Sequence, residues 1–136
     1  MALRQDSGEC GTIMGYRSEV VLSVHKELMP HFLSVLAKEP ASRTLVFKEN
    51  DSLHEDYDGE GSLLVFWSDI KWYRDTFPEI GAIQKFVDAC DGDEIEGVDD
   101  PWSLFRFVRL GEDRDDIEEK GDLNSGNIFI TRNLTF

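Results

Sequence analysis

The order of strand-like and helix-like segments constrains the fold of this chain more than any other feature of the sequence. From Tyr16 to Val24, apolar and polar residues alternate with a period of two, which is typical of a strand with one buried face. Apolar residues between Met29 and Leu36 then recur at helical spacing. Pro40 ends this helix, because a residue that precedes proline disfavours the helical backbone.

Five further segments complete the pattern. Short apolar runs at Arg43–Lys48 and Ser62–Trp67 predict a hairpin of two strands with a long polar connection. The segment Thr76–Glu79 predicts a capping box, with a proline in the first turn of a second helix. Trp102–Leu110 and Asn127–Phe136 predict two more strands. The buried stripe of the second helix is predicted to contain Ile80, Ile83, Val87 and Cys90.

The resulting order, β-α-β-β-α-β-β, predicts an α+β fold. Its first six elements have the ferredoxin-like βαββαβ arrangement, an antiparallel sheet with two helices on one face, and the seventh adds a C-terminal strand. A length of 136 residues suits one domain, and a hydrophobic fraction of 40% supplies a core. We therefore expect a single domain over residues 14–136, preceded by a flexible leader at residues 1–13.

The charge balance narrows the classes of partner. The chain carries 28 acidic and 14 basic residues, for a net charge of −14. Such a surface repels nucleic acids and anionic membranes, whereas it suits a basic protein surface or serves solubility alone. Since the sequence has neither a signal peptide nor an apolar run long enough to span a bilayer, we expect a cytoplasmic location in the host cell.

The acidic residues are concentrated in three connecting segments, at residues 49–60, 88–100 and 112–122, which hold 20 of the 28. Carboxylates displayed along loops can occupy the basic groove of a nucleic-acid-binding protein, as a DNA mimic does. The alternative is that these loops only keep the protein soluble. The acidic residues predicted to bind a partner are Glu55, Asp56, Asp58, Glu112, Asp113, Asp115, Asp116 and Glu118.

An aromatic segment at Phe66–Arg74 adds two candidates, Trp72 and Tyr73. Large aromatic side chains beside Lys71 and Arg74 are typical of a recognition surface or an oligomer contact. Packing between the third strand and the second helix is the alternative interpretation for the same residues.

No motif in the sequence predicts a catalytic residue, a metal ion or a cofactor. Asp91-Gly92-Asp93 is similar to the start of a calcium-binding loop, but Ile95 and Trp102 stand at the fifth and twelfth positions, where oxygen ligands belong. Cys90 lies on the apolar stripe of the second helix and is expected to be a buried thiol.

Three stretches carry a resemblance to a group of small accessory proteins of tailed phages and prophages. They are Met14–Val20 (MGYRSEV), Trp67–Tyr73 (WSDIKWY) and Arg109–Asp113 with Asp115–Glu118 (RLGED and DDIE). The resemblance implies an accessory phage protein, a class in which inhibitors of host defence are frequent, but it implies no defined activity. It also implies an ordered acidic segment at 111–118, anchored by Ile117, with its carboxylates facing outward.

Three hypotheses for the function follow. The first is a non-enzymatic protein that binds a basic surface of a host protein, as an anti-CRISPR-like or DNA-mimic inhibitor would. The second is an enzyme or small-ligand-binding protein with at least two inward carboxylates of raised pKa in a cleft on the open sheet face. The third is a homodimer or larger homo-oligomer formed through that face or through the last strand edge.

Overall fold

A computed structural model describes residues 15–130. Within them the chain forms five strands, three α-helices and one short 3₁₀ helix. The strands are β1 (Ser18–Val24), β2 (Ser52–His54), β3 (Leu63–Ile70), β4 (Phe105–Gly111) and β5 (Ile117–Gly121), and the helices are α1 (Met29–Lys38), α2 (Pro40–Phe47), α3 (Pro78–Asp91) and the 3₁₀ helix Pro101–Leu104.

The five strands form one antiparallel sheet in the order β2-β3-β1-β4-β5. The first four strands have the ferredoxin-like order, with β1 in the centre, and β5 extends the sheet beyond β4. The predicted fold class is therefore confirmed: this is an α+β fold, ferredoxin-like with one additional strand.

The main core lies between one face of the sheet and the three helices. Val20, Leu22 and Val24 of β1 point into it, as the alternation of the sequence predicts. The helices contribute Phe32 and Leu36 from α1, Leu45 and Val46 from α2, and the predicted stripe of α3. In that stripe, burial followed by the nearby charge of Asp91 raises the pKa of the Cys90 thiol to about 12.

Residues 40–47 form helix α2, so the strand predicted at Arg43–Lys48 is wrong. Pro40 occupies the first turn of α2, where its missing N–H costs nothing. Leu45 and Val46 face the core, and the Trp67 indole N–H donates to the Leu45 carbonyl oxygen at 3.2 Å. The hairpin partner of β3 is instead the three-residue strand β2.

The additional strand also lies elsewhere than predicted. It is β5, at Ile117–Gly121, inside the segment that the sequence presents as an acidic loop. Residues 127–130 are not in a strand, and residues 131–136 of the predicted strand Asn127–Phe136 lie outside the described residues, as does the predicted leader.

Helix α3 begins at Pro78, as the proline predicts, but without the predicted capping box. The residue that precedes the helix is Phe77, and no side chain caps the first turn. Instead, the backbone N–H groups of Ile80 and Gly81 bond to the Phe77 carbonyl oxygen.

The second face of the sheet is covered in part by residues 124–130, which we call the strap. Ile128 of the strap packs with Leu64 and Val108 in a small second core. No helix among residues 15–130 is long and apolar enough to cross a membrane.

Candidate functional site

Asp116 and Glu118, two of the predicted partner-binding residues, belong to a network of ion pairs on the helix-covered side of the sheet. The Arg109 guanidinium binds both: Nη2 lies 2.7 Å from Asp116 Oδ1, and Nε lies 3.2 Å from Glu118 Oε1. Arg74 adds a second cation, with Nη2 2.6 Å from Glu118 Oε1. The two carboxylates thus hold β4, β5 and the segment before α3 together.

The pKa shifts in this network favour the charged forms of its residues, as expected for ion pairs that stabilise the fold. Burial alone would raise the pKa of Glu118, but hydrogen bonds from Arg74 and Arg109 outweigh it and lower that pKa below its usual range. Hydrogen bonding to Asp116 raises the pKa of Arg109 in turn, despite the opposing effect of burial. Both charged forms are therefore stabilised by the fold.

Two tyrosines complete the network. The Tyr16 hydroxyl donates to Asp116 Oδ2 at 2.8 Å and accepts from the Asp113 N–H at 2.9 Å. The Tyr73 hydroxyl accepts from the Tyr16 N–H at 2.5 Å. Gly111 permits this close approach, since a Cβ at that position would collide with Asp116 and the Tyr16 hydroxyl.

The geometry corrects the expected arrangement of segment 111–118. The segment is ordered, but Ile117 is 43% exposed and is not its anchor. Asp116 and Glu118 point inward to arginines rather than outward. The exposed carboxylates of this segment are those of Glu112, Asp113 and Asp115.

The two aromatic candidates differ in burial. Trp72 is 6% exposed, packs against Trp67 and Phe107, and donates its indole N–H to Gln84 Oε1 at 2.8 Å. Its ring is therefore part of the core and offers no surface to a partner in this conformation. Tyr73 is half-buried and stacks on Phe77.

In the connection between β2 and β3, two of the four carboxylates, those of Asp56 and Asp58, bind other groups of the loop. Asp56 Oδ1 accepts from the Gly61 N–H at 2.6 Å. Asp58 accepts from the Glu60 N–H, the Ser62 hydroxyl and the Asn124 side chain. Burial would raise the pKa of Asp58, but these hydrogen bonds outweigh it and lower that pKa strongly. Glu55 is exposed.

The topology gathers most of the excess negative charge at one end of the sheet. Four segments meet where β1 ends and β3 and β4 begin: residues 25–28, 55–62, 91–104 and 122–126. We call these segments the acidic end. They hold twelve carboxylates and one lysine, Lys26. The carboxylates are those of Glu27, Glu55, Asp56, Asp58, Glu60, Asp91, Asp93, Glu94, Glu96, Asp99, Asp100 and Asp122, and all but Asp58 are exposed.

The opposite end is nearly balanced. Its segments, residues 15–17, 48–51, 71–77 and 112–116, hold seven carboxylates and five arginines or lysines. The predicted site at 112–118 lies at this end. Long-range attraction of a basic partner therefore favours the acidic end, because like charges there add their fields.

An exposed aromatic residue stands at the acidic end. Trp102, in the 3₁₀ helix, is 43% exposed, and its carbonyl oxygen accepts from the Asp122 N–H at 3.0 Å. The sequence predicts Trp102 in a strand, whereas the structure places it in the 3₁₀ helix. The signal that could have found this helix is Pro101, because proline suits the first position of a helical turn.

The second face of the sheet carries a groove of about 420 Å³ between β1, β3, β4 and the strap. Its lining is mostly apolar, including Val21, Leu64 and Val108. Glu19 is the one carboxylate among the described residues that line it. The small-ligand hypothesis expected at least two.

Comparison with protein-family models, with curated proteins and with solved structures finds no match to this chain. The resemblance to phage accessory proteins therefore stays a prediction.

Proposed function

We propose that this protein binds a basic surface of a partner protein through the acidic end. The observation that carries the proposal is the segregation of charge: twelve carboxylates and one lysine at one end, against seven carboxylates and five basic residues at the other. Since the acidic loops are held in place by Asp56, Asp58 and the 3₁₀ helix, the charges are displayed on a framework with defined geometry.

Trp102 adds an exposed aromatic side chain to the charged surface of the acidic end. Carboxylates steer a basic partner and raise the rate of association, whereas buried aromatic anchors contribute most of the binding energy at many interfaces. An exposed indole among Asp99, Asp100 and Asp122 combines both. Arginine side chains suit this surface, because a guanidinium can stack on the indole while it pairs with a carboxylate.

The partner that fits is a protein with an arginine- and lysine-rich groove, which is the chemistry of nucleic-acid-binding proteins. The resemblance to phage accessory proteins directs the search to a bacterial host, where the protein would act as a non-enzymatic inhibitor.

The test compares two variants with the same change in net charge. One is Glu94→Lys, Glu96→Lys and Asp99→Lys, all exposed at the acidic end. The matched control is Glu49→Lys, Asp75→Lys and Asp115→Lys, all exposed at the opposite end. The partner is first captured from bacterial lysate and eluted with salt, and its affinity for wild type and variants is then measured by calorimetry.

We expect the acidic-end variant to lose affinity by tenfold or more, since each lost ion pair of a steered complex costs on the order of 1 kcal/mol. The control variant should bind within about twofold of wild type. If instead the control variant loses binding, the binding surface is the opposite end, where the predicted segment 112–118 lies, and not the acidic end. Equal losses in both variants would indicate attraction by net charge alone.

A further inference from the structure

Arg106 is an unusual residue for its position, on the second face of the sheet near the start of β4. It is 9% exposed and lies in register with Ser23 of β1 and Gly121 of β5. Its guanidinium donates to two backbone carbonyl oxygens, with Nε 3.0 Å from Ile128 O and Nη1 2.8 Å from Gly121 O. Nη2 lies 3.5 Å from Glu119 Oε2, in a carboxylate that is half in solvent.

The strap depends on this arginine. Among the described residues, the last main-chain bonds that tie this part of the chain to other elements are those of Asp122 to Trp102 and of Leu123 to Phe105. From residue 124 to 130 the backbone bonds are local: two close the turn at Asn124, and the Ser125 N–H bonds to the Asp122 carbonyl oxygen just before the strap. Two hydrogen bonds link these seven residues to distant parts of the described chain, from Arg106 to the Ile128 carbonyl and from Asn124 to Asp58.

The strap-covered face also contains an unsatisfied polar group. The Ser23 side chain lies between Leu64 and Arg106 in register, and both of these residues contact Ile128 or its carbonyl oxygen. Ser23 is fully buried, and no described residue gives its hydroxyl a hydrogen-bond partner. A buried hydroxyl without a partner favours any state in which water reaches it.

We propose that the strap opens and closes as a unit separate from the rest of the fold, with Arg106 as its latch. The closed state gains the packing of Ile128 and the bond from Arg106 to the Ile128 carbonyl oxygen, whereas the open state hydrates Ser23 and exposes the apolar residues beneath. Segments with few long-range hydrogen bonds are those that open independently in native proteins. This inference concerns a different face from the acidic end and does not depend on the proposed function.

The experiment is hydrogen exchange of the intact chain, followed by mass spectrometry, on wild type, Arg106→Gln and a matched control. Arg43→Gln is the control, since Arg43 is exposed on α2. In Arg106→Gln the strap amides should exchange at least tenfold faster, while amides of β1 and β3 keep their protection. Arg106→Lys should behave in the same way, because one ammonium group cannot replace two guanidinium bonds held in fixed directions.

Unchanged strap exchange in Arg106→Gln would overturn the proposal, as would equal acceleration of all amides. If Arg106→Gln does not fold, Ser23→Ala decides. Removal of the unpartnered hydroxyl takes away the gain on opening, so strap exchange should slow by about fivefold. Strap exchange at the wild-type rate or faster in Ser23→Ala would then count against an opening strap.

Discussion

At the residue scale, Trp72 and Trp102 have similar neighbours in the sequence but different roles in the structure. Each lies within a few residues of charged side chains, but the sequence predicts a recognition surface for Trp72 and a strand for Trp102. The fold buries Trp72 between β3, β4 and α3, with its N–H bonded to Gln84, whereas Trp102 is 43% exposed. Burial therefore decides which indole is available to a partner.

Alanine substitution should separate the two. Trp72→Ala removes a large core side chain and leaves Gln84 without its donor, so we expect a loss of about 3–5 kcal/mol in the free energy of unfolding. Trp102→Ala should change that free energy by less than about 1 kcal/mol, because the residue is half in solvent. Urea unfolding followed by circular dichroism measures both.

Trp102 should matter for partner binding although it matters little for stability. If the acidic end is the interface, Trp102→Ala should lower the affinity for the captured partner by tenfold or more while the fold stays intact. A Trp102→Ala protein that binds like wild type would show that the acidic end works by charge alone, without an aromatic anchor.

At the element scale, strand β5 depends on an ion pair where most strands depend on apolar packing. Glu118 lies on the core side of β5, its side chain is 14% exposed, and two arginines bind it. Because its pKa is lowered in the folded state, its contribution to stability is complete above its usual pKa of about 4.5. That contribution is lost as the pH falls through the lower, folded-state pKa.

Glu118→Gln should therefore cost about 1.5–3 kcal/mol at pH 7, the range for hydrogen bonds to charged groups. The variant should also lose less stability than wild type when the pH is lowered below roughly 5. Glu119→Gln is the matched control: its side chain is 43% exposed, and we expect a change of about 0.5 kcal/mol or less. Parallel pH curves for wild type and Glu118→Gln would contradict this role of Glu118.

The same strand shows why sequence periodicity found the fold but not every element. Alternation and helical spacing located β1, α1, β3, α3 and β4, because apolar residues fill the buried positions of those elements. In β5 the core-facing positions hold Glu118 and Lys120, and their partners are Arg109, Arg74 and Asp88. A hydrophobic pattern cannot reveal a strand whose buried side is charged.

The short helix α2 was missed for a different reason. The three apolar residues Leu45, Val46 and Phe47 are as compatible with a strand as with one turn of helix, and length could not decide between them. The structure decides through tertiary contacts, since the Ser42 hydroxyl bonds to the Glu79 carbonyl oxygen at 2.8 Å. A bond across 37 residues is not readable from local spacing.

The candidate site was predictable in composition but not in place. The three acidic segments are visible in the sequence, and Glu55, Asp56 and Asp58 do belong to the acidic end. Which carboxylates are neutralised depends on the register of β4 and β5, which sets Arg109 opposite Glu118. Free and paired acids are therefore distinguished only by the fold.

At the scale of the whole molecule, the charge is distributed unevenly along the sheet axis. Carboxylates at the acidic end repel one another across exposed loops, whereas those at the other end have arginines and lysines within reach. A net charge of −14 on a domain of this size lowers the stability of the compact state through self-repulsion. Most of that repulsion should arise at the acidic end.

Salt should therefore stabilise the protein, and it should do so mainly through that end. Raising the ionic strength from roughly 0.01 to 0.15 M shortens the screening length from about 30 to about 8 Å, which suppresses repulsion between exposed loops. Buried pairs such as that of Arg109 with Glu118 are screened much less, so the midpoint of thermal unfolding should rise with added sodium chloride.

The variant Glu94→Lys, Glu96→Lys and Asp99→Lys should unfold at a higher temperature than wild type in low salt and gain less from added salt. Glu49→Lys, Asp75→Lys and Asp115→Lys changes the net charge equally but acts where charges are balanced, so its salt response should stay closer to that of wild type. Equal behaviour of the two variants would mean that repulsion is spread evenly over the molecule, and the acidic end would then lose the electrostatic distinction on which its assignment as a binding surface depends.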